Sequence, residues 1–337
     1  MGKDGYLVKG QLGTQEGTTM KLMQNKKTKE LVAAKFIPRV QGAGLTKNTE
    51  REIVNHRKLV HPNIIRFKEV YMTDLALVIV MEYASGGPLE ERIATSGPLA
   101  EEDAKKFYKQ LVDGMGYCHD QNIFHRDLRM DNILLHGSYF ESTLKISNFG
   151  YSKSSVLDSM AKTAAVGAPA YTPPELLLLA QRSDGSAYDG AAIDVWASGI
   201  ILYCMLTGKL PFLDPLEPNA INAKVMQRIV NGRYEFPKDQ VKVSPECLDL
   251  IAKIFNPKPD LRIKTSEIKR HPWLSGLPLQ VEPPPTSLEQ SPQTEDDIIT
   301  VVQRARERRK KAAEATSDAG STAPQLGLCG LHDMNKF

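Results

Sequence analysis

The stretch Ile123–Leu135, which reads I-F-H-R-D-L-R-M-D-N-I-L-L, decides how the rest of the chain is interpreted. Two apolar, strand-like runs flank a short polar loop that carries Asp127 and, five positions later, Asn132. Asp127 can accept a proton from an attacking hydroxyl, and Asn132 can offer its carbonyl oxygen to Mg²⁺. The loop therefore indicates phosphoryl transfer, unless it is only a polar turn between two buried strands.

Composition places the chain among soluble globular proteins. The 337 residues are 41% hydrophobic and 25% charged, and a net charge of +3 is too small to argue for nucleic acid or membrane binding. The four cysteines form no C-x-x-C pair, which is typical of a reducing compartment and speaks against a disulfide framework or a zinc site. No apolar run reaches the length of a membrane span. We expect a cytoplasmic or nuclear protein.

The spacing H-R-D-x-x-x-x-N resembles the catalytic loop of protein kinases. Upstream, Lys35 lies in a predicted strand, Leu31–Ile37, and Glu52 lies seventeen residues later in a predicted helix. In kinases, a strand lysine and a helix glutamate form the ion pair that orients the nucleotide phosphates. Taken alone, Lys35 would be read as a strand lysine whose amine reaches solvent.

A buried strand is predicted over Ala76–Met81, and it ends in E-Y-A-S-G-G, a stretch rich in turn residues. The resemblance to kinases implies that this segment is the hinge, where main-chain groups of Glu82 and Ala84 hydrogen-bond adenine. It also implies that Leu12 and Gly13, at the end of the first predicted strand, contact the nucleotide.

The resemblance extends to a particular kinase subfamily. It is carried by K-E-L-V-A-A-K, R-E-I-V-N-H-R-K-L, H-P-N-I-I-R-F-K-E-V, V-M-E-Y-A-S-G-G and F-G-Y-S-K-S-S-V-L. These stretches are similar to the plant, osmotic-stress- and abscisic-acid-activated subfamily of sucrose-non-fermenting-related kinases, over Tyr6 to Leu274. The resemblance implies an α+β, bilobal protein-kinase fold with a small β-rich N-lobe and a larger α-helical C-lobe.

Three residues of the larger lobe match structural positions of the family. The resemblance implies that Glu175, at the end of the segment equivalent to A-P-E, pairs with Arg262 inside the lobe. It implies that Asp194 fixes the backbone of the catalytic loop. Glu175 or Arg262 taken singly would be an ordinary surface charge, but the ordered set favours the structural roles.

The sequence departs from the family at the metal site. The family's D-F-G reads N-F-G here, so Asn148 replaces the aspartate that binds Mg²⁺. A hard divalent cation relies on carboxylate oxygens, and an amide offers only a weaker dipole. Asn132, the other expected ligand, is also neutral. We therefore expect a weak metal site made of Asn132 and Asn148.

The glycine loop is altered as well. The family's G-x-G-x-x-G-x-V reads G-T-Q-E-G-T-T-M over Gly13–Met20. Gln15 replaces a glycine that would let the backbone approach an anion, and Glu16 adds a negative charge near the phosphates. We expect Gly17 to preserve a tight turn.

Three further changes concern the phosphate and the peptide substrate. Arg129 replaces the family's catalytic-loop lysine, which contacts the transferred phosphate. The positive charge is kept, but it is carried by a planar guanidinium instead of a compact ammonium. Ala168 replaces a threonine that bridges the catalytic aspartate and that lysine. Pro88 replaces a glutamate that contacts ribose and a basic residue of the substrate.

The resemblance implies how the chain is regulated, and composition and helix signals set the limits of the segments after the kinase domain. The activation segment is expected over Tyr151–Glu175, with Arg126 receiving a phosphate. The candidate phosphorylation sites are Ser154, Ser155, Ser159 and Thr163. The predicted units are a kinase domain at 5–274 (N-lobe 5–84, C-lobe 85–274), a linker at 275–293, an amphipathic regulatory helix at 294–312 and a disordered tail at 313–337. The basic end of that helix reads either as a solvated terminus or as a nuclear-import signal.

Two functions from different classes remain open at this stage. The first is a serine/threonine protein kinase that transfers phosphoryl groups from ATP, with Mg²⁺, to proteins in stress-type signalling, with activity weakened by Asn148 and the altered glycine loop. The alternative is a pseudokinase that acts as a nucleotide-binding or scaffolding module. The expected partners are a nucleotide and protein substrates or signalling proteins, without nucleic acid and without a membrane span.

Overall fold

A computed structural model describes residues 5–15, 17–38, 47–137, 141–152, 169–179, 188–213, 222–237, 241–277, 293–294 and 296–305. These residues form a small lobe built on a β-sheet and a larger helical lobe. The predicted α+β, bilobal protein-kinase fold is confirmed.

The elements are numbered in chain order. The strands are β1 Tyr6–Gln15, β2 Thr18–Asn25, β3 Leu31–Pro38, β4 Phe67–Met72, β5 Ala76–Glu82, β6 Gly87–Pro88, β7 Ile133–His136 and β8 Thr143–Ile146. The helices are α1 Lys47–His56, α2 Leu89–Ser96, α3 Glu101–Asp120, α4 Pro174–Leu179, α5 Gly190–Thr207, α6 Ala223–Val230, α7 Pro245–Ile254, α8 Thr265–Ile268 and α9 at 296–305.

The small lobe is an antiparallel sheet of five strands in the order β1-β2-β3-β5-β4. Strand β3 is central, and Lys35 on it is paired with Met20 on β2 and Ile79 on β5. A strand that is hydrogen-bonded on both sides has little freedom, so the sheet holds the Cα of Lys35 at a defined place.

The first hairpin differs from the prediction. The sequence predicted that the first strand ends at Leu12 and Gly13, but β1 continues to Gln15, which pairs with Thr18. Only two positions connect the strands, and Gly17 has φ +75°, in the left-handed region that such tight hairpin turns require. Gly17 therefore forms the tight turn that was expected of it, and the strands on either side of this turn are longer than predicted.

Helix α9 packs on the small lobe. Ile298 and Val302 are buried in the same apolar cluster as Ile53 of α1 and Phe67 of β4. The start of the helix is capped reciprocally, because Thr294 N–H donates to an Asp297 carboxylate oxygen at 3.0 Å and Asp297 N–H donates to Thr294 Oγ1 at 3.2 Å.

The core of the large lobe surrounds α5. By length and composition α5 could cross a membrane, but 94% of it is buried inside the protein. Its Trp196 stacks on Phe212 with ring centroids 5.2 Å apart. Within the described residues, Cys118, Cys204 and Cys247 are buried free thiols, while Cys329 lies outside them.

The lead-in to the catalytic loop is not a strand, and that part of the prediction was wrong. Helix α3 ends at Asp120, and two turn residues later Ile123 N–H donates to Cys118 O at 2.9 Å, which closes the end of the helix. The main-chain N–H groups of His125 and Arg126 donate to the side chain of Asp194 instead of to a neighbouring strand. Only the second apolar run forms a strand, β7.

Candidate active site

The predicted ion pair between β3 and α1 is formed. Lys35 Nζ lies 2.8 Å from Glu52 Oε1 and 2.9 Å from Oε2. The Glu52 side chain is almost fully buried and the lysine is partly buried, so solvent screens the pair only partly. The geometry places one cation, held by two oxygens, in the cleft where the resemblance puts the phosphates.

Asp194 holds the backbone of the catalytic loop. Its Oδ2 accepts from His125 N–H at 2.8 Å and its Oδ1 accepts from Arg126 N–H at 2.7 Å. His119 Nε2 also contacts Oδ2 at 2.9 Å. Arg126 has φ +66°, a left-handed conformation that is unusual for a residue other than glycine, and the two hydrogen bonds to Asp194 offset its cost.

Asp127 is buried, with only 7% of its surface exposed. Asn132 Nδ2 donates to Asp127 O at 2.7 Å and to its Oδ2 at 3.0 Å. Burial raises the pKa of the Asp127 carboxyl, while the nearby His125, Arg129 and the Asn132 hydrogen bond oppose this change in pKa. A carboxylate with a raised pKa is a better proton acceptor, which is what a general base needs.

Asn148 is joined to the same network. Its Nδ2 donates to Asn132 Oδ1 at 3.1 Å, and its backbone is left-handed (φ +66°, ψ +73°). The two predicted metal ligands are therefore bonded to each other, and Asp127 supplies the only carboxylate of this network. Within the described residues there is no group of three or more His, Cys, Asp or Glu side chains that could hold a metal ion. This donor set does not fit a Mg²⁺ site of the kinase type.

Arg129 is engaged by a neighbour in its own loop. Its Nε donates to Asp131 Oδ1, and the negative charge of Asp131 raises the pKa of the guanidinium, although burial opposes that rise. The loop is further fixed because Met130 N–H donates to Tyr171 OH at 3.3 Å. The arginine that replaces the catalytic lysine is thus oriented by Asp131, a partner that the sequence analysis did not single out.

The hinge follows β5. Glu82 N–H donates to Arg66 O at 2.8 Å, and the Glu82 side chain forms an ion pair with Lys145 at 2.8 Å. The adenine contacts expected of Glu82 and Ala84 stay a prediction. Ala84 is buried and its carbonyl accepts from Gly87 N–H at 3.4 Å. Leu12 and Gly13 lie on β1; the Leu12 side chain is 44% exposed, and nothing lies within 4 Å of a Cβ built on Gly13.

A buried cluster of aromatic rings, which the sequence did not reveal, packs against the catalytic loop. The ring of Phe149 lies between His56 of α1, at 5.0 Å, and His125, at 4.9 Å. Asn55 Nδ2 donates to Ser152 Oγ at 3.0 Å in the same region. Helix α1, the catalytic loop and the segment after Asn148 are therefore connected through buried side chains. His125 and Phe149 belong to the H-R-D and N-F-G motifs, but their contacts join segments that are distant in the sequence.

The predicted ion pair between Glu175 and Arg262 in the large lobe is formed and is bidentate. Arg262 Nη1 lies 2.7 Å from Glu175 Oε1 and Nη2 lies 2.8 Å from Oε2. The guanidinium also donates to Ala192 O at 2.8 Å and lies over the ring of Trp196. The candidate phosphorylation sites Ser154, Ser155, Ser159 and Thr163 lie outside the described residues, as do Glu16 and Ala168.

Comparison with known proteins agrees with this geometry. Residues 6–274 match the family model of the protein kinase domain. The chain is 43% identical over 337 residues to the serine/threonine-protein kinase SAPK2 of Oryza sativa subsp. indica, covering 98% of this chain and 94% of that protein. It is 51% identical over 259 residues to the serine/threonine-protein kinase SRK2I of Arabidopsis thaliana, covering 77% of this chain and 68% of that protein.

Proposed function

The chain belongs to the protein kinase family, and from this premise we propose that it transfers the terminal phosphoryl group of ATP to serine or threonine hydroxyls of proteins. Its relatives are named serine/threonine-protein kinases, which supports this choice of residue class. The observation that carries the proposal is that the Lys35–Glu52 and Asp127–Asn132 contacts are both formed. Asn148 connects them, because it donates to Asn132 and its Oδ1 lies, like Glu52 Oε2, 3.4 Å from a Cβ built on Gly150.

The residues present divide the reaction between them. Lys35, oriented by Glu52, provides positive charge for the phosphates. Asn132 holds Oδ2 of Asp127, so Oδ1 is the oxygen that accepts the proton of the attacking hydroxyl as the oxygen–phosphorus bond forms and the bond to the leaving diphosphate breaks. Protein kinases in general use ATP with Mg²⁺, but the donor set here does not fit that ion, so these roles are assigned to the protein groups alone.

We expect a slow enzyme. Charge on the transferring group is normally neutralised by cations and preorganised donors, and removal of one such donor typically reduces kcat by about 10²–10³-fold. Here the position of a metal-binding carboxylate is held by the neutral Asn148, and Arg129 is paired with Asp131. Transfer should therefore be measurable but well below the rate of relatives that keep the aspartate.

A kinase assay with a matched inactive variant tests the proposal. The full chain is incubated with γ-labelled ATP and a serine/threonine peptide substrate, beside Asp127→Asn prepared in the same way. Label transferred by the wild type but not by Asp127→Asn is the expected result, because the variant lacks the proton acceptor. Equal labelling by both proteins, or none by either, would refute the proposal.

The pseudokinase alternative is less favoured by the same site. The contact between Asn148 and Asn132 argues for it, because that contact leaves the site without its metal-binding carboxylate. Against it stand the buried base Asp127, the assembled Lys35–Glu52 pair and the named activity of the relatives. Resemblance to a stress-activated subfamily supports placing the activity in stress signalling, which loss of phosphorylated targets in a null mutant under osmotic stress would test.

A further inference from the structure

We propose that the chain binds ATP free of any divalent cation, with an N–H of Asn148 donating to the phosphates where the family holds a metal ion. The ligand class is therefore a metal-free nucleoside triphosphate. The inference rests on the proposed function, since it concerns how the same cleft holds its nucleotide.

The oxygens of Asp127 determine how the side-chain amides of Asn132 and Asn148 are oriented. Its main-chain oxygen and its Oδ2 both contact Asn132 Nδ2, at 2.7 and 3.0 Å, and oxygens of an ionised carboxylate and a carbonyl only accept. Asn132 must therefore present its nitrogen to Asp127 and its Oδ1 to Asn148. Asn148 must in turn present its nitrogen, which lies 3.1 Å from that oxygen. A flipped Asn148 would place two oxygens against each other.

This orientation of the two amides is unfavourable for binding a cation. The atom of Asn132 that could ligate a metal already accepts an N–H, and the group that faces it on Asn148 carries partial positive charge. A metal ion would have to break this hydrogen bond and turn the Asn148 amide. From the two asparagines it would gain only neutral oxygens in return, which leaves the Asp127 carboxylate as the one anionic group of the network, whereas hard divalent cations favour several carboxylate oxygens.

The backbone holds both amides in place. Ser147 N–H and Ser147 Oγ both donate to Asn132 O at 2.9 Å, so the residue before Asn148 is tied to Asn132 itself. Asn148 is left-handed, a conformation that asparagine and aspartate adopt more readily than most residues. The Oδ1 end of Asn148 faces Gly150, since a Cβ built there would lie 3.4 Å from it.

The amide keeps a donor for the ligand. A carboxamide has two N–H groups, and the bond to Asn132 uses one of them. The other N–H of Asn148 and the ammonium of Lys35 are the donors that we assign to the anion. The phosphates of metal-free ATP have oxygens that are not shared with a cation, so they match donors better than a metal complex does.

Calorimetric titration of the full chain with ATP tests the inference. One titration contains EDTA and the other contains excess Mg²⁺. We expect the affinity in EDTA to equal or exceed the affinity with Mg²⁺. A clear gain in affinity on adding Mg²⁺ would overturn the inference.

Asn148→Asp is the matched variant, because its shape is the same and its backbone conformation is accessible. It replaces a donor with an anion, so we expect metal-free ATP to bind about tenfold more weakly and Mg²⁺ to restore the affinity. Asn148→Ala, which adds no charge, should also lose affinity in EDTA but should gain nothing from Mg²⁺. Unchanged metal-free binding by Asn148→Ala would refute the role of Asn148.

The titrations also separate this inference from the proposed function. Mg²⁺-dependent ATP binding together with labelled substrate in the kinase assay would overturn the inference alone. Absence of ATP binding in both buffers would overturn the inference and the kinase proposal together.

Discussion

Arg126, which the sequence assigns to a phosphate, is held by Tyr188. Its Nη2 donates to the Tyr188 hydroxyl, and its Cζ lies 5.4 Å from the centre of the Tyr188 ring. The guanidinium also donates to Tyr151 O at 3.5 Å. Tyr188 directly precedes Asp189, the N-cap of α5, so the arginine that follows His125 is connected to the start of the central helix.

Removal of the Tyr188 hydroxyl should reduce the kinase activity of the unphosphorylated protein. Tyr188→Phe keeps the ring and deletes the hydrogen bond, and a hydrogen bond to a charged group contributes about 1.5–3 kcal/mol, so kcat should fall by about tenfold or more. Wild-type activity should be largely insensitive to phosphatase treatment, because Tyr188 already orients Arg126.

The measurement compares peptide phosphorylation by both proteins before and after phosphatase treatment. Tyr117→Phe is the control, since it removes a phenol that accepts from Val60 N–H at a distance from the catalytic loop. A wild type that loses its activity to phosphatase, with Tyr188→Phe as active as the untreated wild type, would contradict this account.

Breaking the buried ion pair between Glu175 and Arg262 should cause a large loss of stability. Glu175→Gln leaves Arg262, whose side chain is almost fully buried, without its carboxylate. Breaking a buried pair by removing one partner should lower the free energy of unfolding by about 3 kcal/mol. Urea denaturation measures this. Asp103→Asn, which breaks an exposed ion pair with Lys106, should change the free energy of unfolding by no more than about 0.5 kcal/mol. Comparable losses in both variants would show that the buried pair contributes no more to stability than the exposed one.

Stability should decline as the pH falls below the ordinary pKa of histidine. Burial lowers the pKa of His61 to about 4, and burial also lowers the pKa of His56. The unfolded chain therefore takes up protons near pH 6.5 that the native state binds only at lower pH, so acid favours unfolding.

A variant isolates the His61 contribution. Asn in place of His61 keeps an acceptor for the Asn63 N–H but does not titrate. Between pH 7.5 and pH 5, urea unfolding of the wild type should lose about 1 kcal/mol more than His61→Asn, a figure reduced for the partial exposure of His61. Parallel pH profiles for the two proteins would show that His61 is not responsible.

Detachment of α9 should loosen the small lobe. The Gln293 side chain makes two hydrogen bonds to β4, an edge strand of the sheet, accepting from Val70 N–H at 2.7 Å and donating to Val70 O at 2.8 Å. Ile298→Asp would bury a charge in the cluster that contains Ile53 of α1, whereas Ile299→Asp would place the same charge at a position that is 40% exposed.

Hydrogen exchange and kinase activity report the effect. Ile298→Asp should speed exchange in α9 and α1 and lower activity at least several-fold, because α1 carries Glu52. Ile299→Asp should behave like the wild type. Equal exchange in the two variants would mean that the helix does not support α1.

Much of the site could be predicted because short sequence patterns indicate its residues. The catalytic loop was recognised from its spacing, and Lys35 and Glu52 from a strand and a helix at a characteristic separation. The hairpin at Gly17 was misjudged in length, since pairing through Gln15 depends on the opposite strand. The lead-in before His125 was misread as a strand because apolar residues buried against a helical lobe look the same in sequence.

The sequence by itself determined the fold class, the assembly of the ion pair and the replacement of a carboxylate by an amide at position 148. Only the tertiary structure decided what that replacement does. The orientation of Asn148 depends on Asn132, whose orientation depends on two acceptor oxygens of Asp127. Tyr188 reaches Arg126 only because α5 begins beside the catalytic loop. Hydrogen bonds have direction and short range, so they are settled by where the folded chain brings its groups together.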